Sequence, residues 1–338
     1  MSSGLRIAIV NSKTFGIYSN VIDELKSFAS IERLEVPKDL SGVQLASALK
    51  DYDIVIASVT PNYNAEFFKN NLRVGMIARH GIGVDNVDVE AATKYGVVVT
   101  RVPGYVERNA VAEHAVTLML AALRDVVRAH KKVATGKWGE RGRFVCNELR
   151  YLTVGLIGIG NIGSRVAEIL VRGFGCRVIA YDPYVPEVRA RELGVELVDL
   201  DSLLRNSDII SIHTPLTKET YHLINWERLT KMKRGVIIVN TARGEIIDTN
   251  ALVKALDEGI VGRVAIDVVE GEPIDSEHPL LKFDNVIITP HIAAFTYQGL
   301  RGMDESVLNA IKAYLRGEIP EGIVNKEVYE RGLRRIQP

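Results

Sequence analysis

Residues 151–163 read YLTVGLIGIGNIG, and the choice of fold class rests on them. An apolar run typical of a buried strand passes into three glycines, Gly158, Gly160 and Gly163, and the residues that follow, up to Leu170, are spaced as in a helix. Glycines at this spacing allow a tight turn, close approach of a pyrophosphate to the backbone, and exposure of helix N-terminal N–H groups to the anion. We therefore interpret the stretch as the strand, turn and helix of a dinucleotide site, and not as a glycine-rich turn that binds nothing.

The kind of dinucleotide is indicated by Asp182. This residue ends a second strand pattern, 177–181, and lies nineteen residues after Gly163. A carboxylate at this place can accept hydrogen bonds from both adenosine-ribose hydroxyls, and it repels the 2′-phosphate of NADP. Residues 183–186 contain no Arg or Lys that would offset the repulsion. The sequence therefore predicts NAD as the cofactor.

Short strand patterns alternate with helical ones on both sides of this stretch. Strands that are apolar throughout are typical of parallel sheets covered on both faces. The patterns that precede and follow residues 151–163 lie at 5–10, 53–58, 73–79, 96–100, 177–182, 208–213, 235–240, 264–269 and 285–290. We predict an α/β protein with two doubly wound parallel-sheet domains and a substrate cleft between them. A long helix is expected at about 110–132, and a last helix at about 297–316.

The composition excludes several function classes. Lys and Arg number 42, as do Asp and Glu, so a general nucleic-acid-binding surface is not expected. No apolar run reaches the roughly 18–20 residues that cross a bilayer, and the first residues do not resemble a signal peptide. The two cysteines, Cys146 and Cys176, lack the spacing of metal ligands or of a disulfide framework. We expect a cytoplasmic protein with no metal, membrane or nucleic-acid partner.

Polar residues follow the strands of the second domain at their carboxyl ends, where open α/β sheets bind ligands. Arg243 is a planar cation that can hold a 2-keto carboxylate through two hydrogen bonds. His291 can protonate a carbonyl oxygen, and Glu272 can orient that imidazole. Each also has an ordinary structural interpretation: Arg243 could form a surface ion pair, Glu272 could lie in a solvated turn, and Thr214 and Thr241 could cap helices. The three side chains together favour keto-acid chemistry.

The sequence resembles the D-isomer-specific 2-hydroxyacid dehydrogenases over nearly its whole length. The motifs that carry the resemblance include GIGNIG (158–163), VNTARGEIIDTNAL (239–252), AIDVVEGEP (265–273) and TPHIAAFT (289–296). The resemblance implies NAD-dependent reduction of a 2-keto acid to the D-2-hydroxy acid, and the reverse reaction. It implies a catalytic set of Arg243, which binds the substrate, and His291, the acid/base, paired with Glu272. The cofactor contacts that it implies are Val111, Gly158, Gly160, Asn161, Ile162, Gly163, Asp182, Pro183, His213, Thr214, Pro215, Thr220, Asn240, Thr241, Ala242, Arg243, Asp267, His291 and Ala293.

The resemblance also implies a particular domain organisation. A Rossmann dinucleotide-binding domain, residues 104–293, is expected to be inserted in a flavodoxin-like substrate domain made of residues 1–103 and 294–338. Members of the family are usually homodimers joined through their cofactor domains. The long helix and the arm that follows it, about 109–138 here, are expected to form that interface.

A second anion site is expected at HGIGVDN (80–86), directly after the strand at 73–78. Its glycines let backbone N–H groups converge on an anion, although a plain tight turn would also favour glycine. The resemblance implies that Ile82 and Gly83 bind the substrate carboxylate. Arg79 and Arg101 are candidates for holding a substrate phosphate. The expected substrate-binding residues are Arg79, Ile82, Gly83, Arg243 and His291.

Several substrates remain open at this point. Formate dehydrogenases of the family carry Gln in place of Glu272, and phosphite dehydrogenases carry Lys in place of Ile82, so both chemistries are disfavoured. Glyoxylate/hydroxypyruvate reductase and 3-phosphoglycerate dehydrogenase are the leading candidates, together with reductases of aliphatic 2-keto acids. An alternative of another class is a non-catalytic, NAD(H)-sensing binding protein of the corepressor type.

Overall fold

A computed structural model describes residues 4–335, and the chain in it forms two compact units. Unit 1 comprises the residues up to Glu107 and those from Phe295 onward, and unit 2 comprises Arg108–Ala294. Each unit is built on one sheet whose strands all pair in parallel, with helices between them. The predicted α/β fold class is confirmed.

Twelve strands are present in the described part of the chain. They are β1 (Arg6–Val10), β2 (Ser30–Leu34), β3 (Ile54–Ala57), β4 (Met76–Arg79), β5 (Val98–Thr100), β6 (Thr153–Ile157), β7 (Arg177–Tyr181), β8 (Glu196–Leu197), β9 (Ile209–Ile212), β10 (Val236–Asn240), β11 (Val261–Ile266) and β12 (Val286–Ile288).

Thirteen α-helices accompany them within residues 4–335. They are α1 (Val21–Lys26), α2 (Gly42–Ala48), α3 (Ala65–Asn70), α4 (Val89–Lys94), α5 (Arg108–Leu123), α6 (Val126–Ala134), α7 (Asn161–Ile169), α8 (Glu187–Glu192), α9 (Leu200–Asn206), α10 (Trp226–Leu229), α11 (Thr249–Asp257), α12 (Tyr297–Leu315) and α13 (Glu327–Glu330).

The sheet of unit 1 has the order β2-β1-β3-β4-β5, which is the order of flavodoxin-like folds. Its central strands β3 and β4 are buried along their whole length, because helices cover both faces of the sheet. The strand β2 and the helix α2 were not among the elements predicted from the sequence. The strand SIERL lies at the sheet edge with mostly exposed side chains, so it carries no apolar run that would announce it.

The sheet of unit 2 has the order β12-β11-β10-β9-β6-β7-β8. Counted from β6, this is the doubly wound Rossmann order with one strand added, and the direction of winding reverses between β6 and β9. One apolar cluster packs α5 and α7 on one face, and a second cluster packs α9, α10 and α11 on the other. Ligands of such sheets bind at the carboxyl ends of the strands beside the reversal.

The single helix predicted at 110–132 is two helices, and this prediction was wrong in that respect. The chain breaks between α5 and α6 at Asp125, whose φ is +55°. The Asp125 carboxylate is buried and lies within 3.0 Å of the Arg128 guanidinium and 3.4 Å of that of Arg263. These charged contacts stabilise a left-handed residue that apolar periodicity does not reveal.

Among residues 4–335, no helix has the length and apolar character needed to cross a bilayer.

Candidate active site

The glycine turn after β6 packs directly against the segment that follows β9. Gly158 has φ +91°, and a Cβ there would lie 2.8 Å from the carbonyl oxygen of His213. A Cβ at Gly163 would lie 2.1 Å from the carbonyl oxygen of Gly158, so α7 approaches the turn too closely for any side chain. A Cβ at Gly160, in contrast, meets nothing within 4 Å. The turn is therefore closed on its protein side and open at Gly160, as a pyrophosphate cradle requires.

Asp182 lies directly after β7, beside this turn. One of its carboxylate oxygens accepts a 2.9 Å hydrogen bond from the Ile159 N–H, and the other accepts a 3.0 Å bond from the Tyr184 N–H. The side chain is half-buried, and Pro183 and Tyr184 next to it are exposed. A fixed and accessible carboxylate at the glycine turn is what an adenosine ribose needs.

The end of β9 borders the turn, and the end of β10 is next to that of β9 in the sheet. The His213 N–H after β9 donates to Ile157, and its Nε2 lies 2.9 Å from the Ser211 hydroxyl. Burial lowers the pKa of His213 to about 4, so the ring is neutral at physiological pH. Two polar atoms expected to contact the cofactor, His213 Nδ1 and the Thr241 hydroxyl, are buried and have no hydrogen-bond partner in the described part of the chain. Together with the open Gly160 and the Asp182 carboxylate, they fit NAD.

Thr220, predicted to contact the cofactor, forms hydrogen bonds within its own turn. Its hydroxyl donates a 2.7 Å hydrogen bond to the Pro215 carbonyl and accepts one of 2.7 Å from the Thr217 N–H. It therefore shapes the 215–220 turn, next to Thr214 and Pro215. Val111, expected near the nicotinamide, and Ala293, expected to contact the cofactor, are both buried in unit 2.

Arg243 lies in a loop fixed by Asn240, the last residue of β10. The fully buried Asn240 amide donates a 2.8 Å bond to the Arg243 carbonyl and accepts one of 2.9 Å from the Ala242 N–H. The next residue, Gly244, lies so close to the Val269–Glu270 peptide that a Cβ would be 2.1 Å from its carbonyl carbon. The Arg243 loop is thus packed onto the segment that leads to Glu272.

Glu272 and His291, nineteen residues apart in the chain, are in contact. A carboxylate oxygen of Glu272 is hydrogen-bonded to the His291 Nδ1, and its other oxygen accepts a 3.2 Å bond from the Val269 N–H. The two side chains are 33% and 35% exposed. The Glu272 carboxylate binds Nδ1 and orients the ring, so the second ring nitrogen, Nε2, is the one left for a ligand. This arrangement suits an imidazole that exchanges a proton with a ligand.

The turn that carries His291 is held by Asp267, which is 1% exposed. His291 itself has φ +55°, and its N–H donates to the Asp267 carbonyl at 2.8 Å. The Asp267 carboxylate accepts bonds from the N–H groups of Ile292 (2.9 Å) and Ala293 (2.8 Å) and from the Thr289 hydroxyl (2.5 Å). The sequence interpretation made Asp267 a cofactor contact. Its hydrogen bonds within unit 2 make it the anchor of the His291 turn.

Burial of Asp267 acts to raise its pKa, but the hydrogen bonds of His114, Thr289 and the two backbone N–H groups outweigh it and lower the pKa. His114, on α5, lies 3.0 Å from the Thr289 hydroxyl and 3.5 Å from the Asp267 carboxylate. Neither His114 nor Thr289 was identified from the sequence. Thr289 lies inside the motif TPHIAAFT (289–296), so a polar residue at a strand end was the available signal, whereas His114 lies within α5 and gave no such signal.

In unit 1, Arg79 at the end of β4 is 5% exposed and donates a 2.5 Å bond from its guanidinium to the His80 carbonyl. Ile82 and Gly83 are half-buried, and neither N–H donates to a backbone carbonyl of the described residues. Arg101 is exposed. Within residues 4–335, no group of three or more His, Cys, Asp or Glu side chains is arranged to hold a metal ion.

Comparisons with known proteins agree with this geometry. Residues 116–293 match the family profile described as "D-isomer specific 2-hydroxyacid dehydrogenase, NAD binding domain". A glyoxylate reductase of Thermofilum pendens is 42% identical over 299 residues, which are 87% of this chain and 88% of that protein. This chain belongs to the D-isomer-specific 2-hydroxyacid dehydrogenase family. It is an NAD-dependent oxidoreductase that interconverts 2-keto and D-2-hydroxy acids.

Other members of the family share its fold. The crystal structure of a D-lactate dehydrogenase from Aquifex aeolicus, complexed with NAD and lactic acid, superposes with a TM-score of 0.83 at 31% identity and covers 94% of this dehydrogenase and 98% of that chain. A D-3-phosphoglycerate dehydrogenase of Archaeoglobus fulgidus is 44% identical over 263 residues, which are 78% of this chain but 49% of that protein.

Proposed function

We propose that this dehydrogenase reduces glyoxylate and hydroxypyruvate, with His291 as the acid/base and Arg243 as the substrate-binding cation. The observation that carries the proposal is the Glu272–His291 hydrogen bond at the carboxyl edge of the NAD-binding sheet. It leaves one imidazole nitrogen for the substrate, beside a loop that bears a guanidinium. A carbonyl oxygen that becomes a hydroxyl needs such a proton donor.

When bound, NADH supplies the hydride that reduces the substrate carbonyl carbon. His291 donates the proton from its Nε2 to the carbonyl oxygen and takes it back in the oxidation direction. The Glu272 carboxylate keeps the ring oriented and stabilises its positive charge before the proton leaves. The guanidinium of Arg243 binds the substrate carboxylate with two parallel hydrogen bonds, a geometry that Lys cannot reproduce.

We propose that NAD is held by the glycine turn with Asn161 and Ile162, by Asp182, and by the strand ends at His213–Pro215 and Asn240–Ala242. The open backbone at Gly160 and the N–H groups at the start of α7 are suited to the pyrophosphate. The carboxylate of Asp182 is suited to the ribose hydroxyls.

In unit 1, the proposed ligand of the Ile82 and Gly83 N–H groups is a substrate carboxylate. Unphosphorylated substrates are favoured because Arg101 is exposed, Arg79 is buried with its guanidinium on its own loop, and residues 58–62 contain no cation. Phosphohydroxypyruvate remains the second candidate substrate.

The decisive experiment measures the fall of NADH absorbance with glyoxylate, hydroxypyruvate, pyruvate and phosphohydroxypyruvate. We expect the highest kcat/KM with glyoxylate or hydroxypyruvate, and a much lower value with NADPH in place of NADH. A preference for phosphohydroxypyruvate would overturn the substrate assignment. Absence of turnover across the panel would instead favour the NAD(H)-sensing binding protein.

We also propose that the protein is a homodimer joined through the arm after α5, in a cytoplasmic setting. The helix α6 has no buried residue, and it exposes Val126, Val127 and Val133, with Trp138 exposed shortly after it. An exposed apolar face made of these four side chains is suited to binding a second copy of the chain. Light scattering should give twice the 37.4 kDa chain mass, and Val127→Asp should lower it, whereas Val188→Asp at an exposed site of α8 should not.

A further inference from the structure

A buried imidazole lies at the start of the 80–86 loop and has no place in the mechanism above. His80 directly follows β4, and its side chain is 4% exposed. Its Nε2 lies 3.0 Å from a carboxylate oxygen of Asp304, which belongs to α12 and is fully buried. The contact is at ion-pair distance but does not have hydrogen-bond geometry, and neither atom has another hydrogen-bond partner among the described residues. The ring is also in edge-to-face contact with Phe15, at 5.2 Å between centroids, and its Nδ1 lies 3.5 Å from the Ser12 hydroxyl.

The Asp304 carboxylate connects this loop to a second one. Its other oxygen accepts a 3.0 Å hydrogen bond from the Gly16 N–H and a 2.6 Å bond from the Ser19 hydroxyl. Both donors lie in the loop between β1 and α1, at the carboxyl edge of the same sheet. One buried carboxylate therefore joins the loop after β1, the loop after β4 and the helix α12.

Such a carboxylate is stable in the interior only while its partners surround it, because an uncompensated buried charge is costly. The partners of Asp304 are an imidazole, a hydroxyl and a backbone N–H. All three come from loops at the carboxyl edge of the sheet, and none comes from its own helix. Loss of the imidazole would remove the only polar group shown to face that oxygen among the described residues. The loop after β4 would then have to move so that water or another donor could reach the charge.

Hydrogen bonds restrain the backbone between His80 and the proposed substrate contacts. The His80 carbonyl accepts a hydrogen bond from the Arg79 guanidinium. The Gly81 N–H donates a 3.0 Å bond to the Arg79 carbonyl, and the Gly81 carbonyl accepts one of 3.0 Å from the Val102 N–H. Displacement of His80 is thereby transmitted to Ile82 and Gly83, two and three residues further on.

We propose that His80 is a positioning residue for substrate binding, and that the His80–Asp304 pair holds the Ile82 and Gly83 N–H groups in the geometry that binds the substrate carboxylate. This inference rests on the proposed function, because it assumes that the two N–H groups bind the substrate. We expect the His80–Asp304 pair to affect the KM for the substrate and not proton transfer.

The test compares His80→Leu, which removes the polar contact at similar volume, with His80→Gln, which keeps an N–H donor within reach of Asp304. In His80→Leu we expect the KM for glyoxylate to rise about 10- to 100-fold, the range produced by loss of one contact to a charged group. The kcat should change less than about threefold, and the Kd for NADH, measured by fluorescence, should be unchanged. His80→Gln should restore most of the KM.

Should His80→Leu fail to fold, Ser19→Ala is the milder probe, because it removes one donor to Asp304 and leaves the imidazole in place. A smaller rise in KM at constant kcat is expected. Unchanged KM in the folded variants, or a fall confined to kcat, would overturn the inference while wild-type turnover leaves the proposed function intact. Absence of turnover by the wild type would overturn the proposed function itself and this inference with it.

Discussion

Two histidine–carboxylate pairs in this protein have the same chemistry and different surroundings. In unit 2, Glu272 and His291 are each about one-third exposed, and they are nineteen residues apart in the chain. In unit 1, His80 and Asp304 are almost wholly buried, and the carboxylate also binds residues that lie 285 and 288 positions away. An imidazole that a ligand can reach is suited to proton transfer, whereas one sealed inside the fold can only hold its surroundings in place.

Solvent access, and not residue type, separates an acid/base from a positioning residue. The surroundings of His291 are also built more locally than those of His80. Asp267, which anchors the His291 turn, accepts three of its carboxylate bonds from Thr289, Ile292 and Ala293, which are 22 to 26 residues away. Local construction produces recognisable motifs, while the His80–Asp304 pair leaves no pattern in the sequence.

The largest expected effect is on the exposed pair. His291→Ala should lower kcat by about 10²- to 10⁴-fold, because a positioned proton donor contributes about that much. The matched change in the buried pair, His80→Ala, should leave the kcat far less affected. Steady-state assays with glyoxylate and NADH decide the matter, and equal losses of kcat in both variants would erase the distinction between the pairs.

A second prediction concerns the anchor of the exposed pair. Asp267→Asn has one acceptor oxygen where the carboxylate has two, so some of the Ile292, Ala293 and Thr289 donors lose their partner. We expect kcat to fall about 10- to 100-fold and the free energy of unfolding to fall by about 1–3 kcal/mol. As a control, Asp248→Asn exchanges one helix-capping side chain for another and should alter neither quantity.

The sign of the pH dependence follows from the Asp267 pKa, which is lower in the folded protein than its ordinary value. Its contribution to stability is complete above the unfolded pKa and is lost as the pH falls through the folded one. The stability difference between wild type and Asp267→Asn should therefore shrink below about pH 4. A difference that grows in acid would contradict the assigned ionisation.

A third prediction separates cofactor binding from positioning. Gly160→Ala meets no protein atom within 4 Å, so the fold should keep its stability while the Kd for NADH rises about tenfold, because the added methyl occupies the pyrophosphate approach. Gly163→Ala places a Cβ 2.1 Å from the Gly158 carbonyl oxygen and should lower both stability and NADH affinity. Fluorescence titration and urea unfolding measure the two quantities. An unchanged Kd in Gly160→Ala would argue against the cradle.

The smallest expected effect is on a third histidine, which has no carboxylate partner among the described residues. Burial lowers the pKa of His213 to about 4, so the unfolded chain binds a proton between about pH 6.5 and 4 that the folded chain resists. The free energy of unfolding should therefore fall as the pH is lowered from about 6.5 to 4. His213→Asn should remove about 1 kcal/mol of that fall. Equal slopes for the two proteins would show that His213 titrates normally in the fold.

The fold class and NAD as the cofactor were predictable because their signals are local. Strands that are apolar throughout indicate a buried parallel sheet, and the spacing of Gly158, Gly160 and Gly163 after one such strand indicates a dinucleotide turn. The edge strand β2 was missed because its charged, exposed residues carry no apolar run. The break at Asp125 was missed because a half-buried arginine 138 positions away, Arg263, stabilises it.

The chemical inventory of the protein was contained in its linear order of residues: a cation, an imidazole and a carboxylate, each at the end of a strand, and glycines where a phosphate must approach. Which of those groups face a ligand and which are sealed inside was a matter of packing. Burial and long-range contacts made Asp267 the anchor of a turn and joined His80 to Asp304. The reason is physical, since the behaviour of an ionisable group depends on its solvent exposure and its neighbours, and both arise only when distant segments pack together.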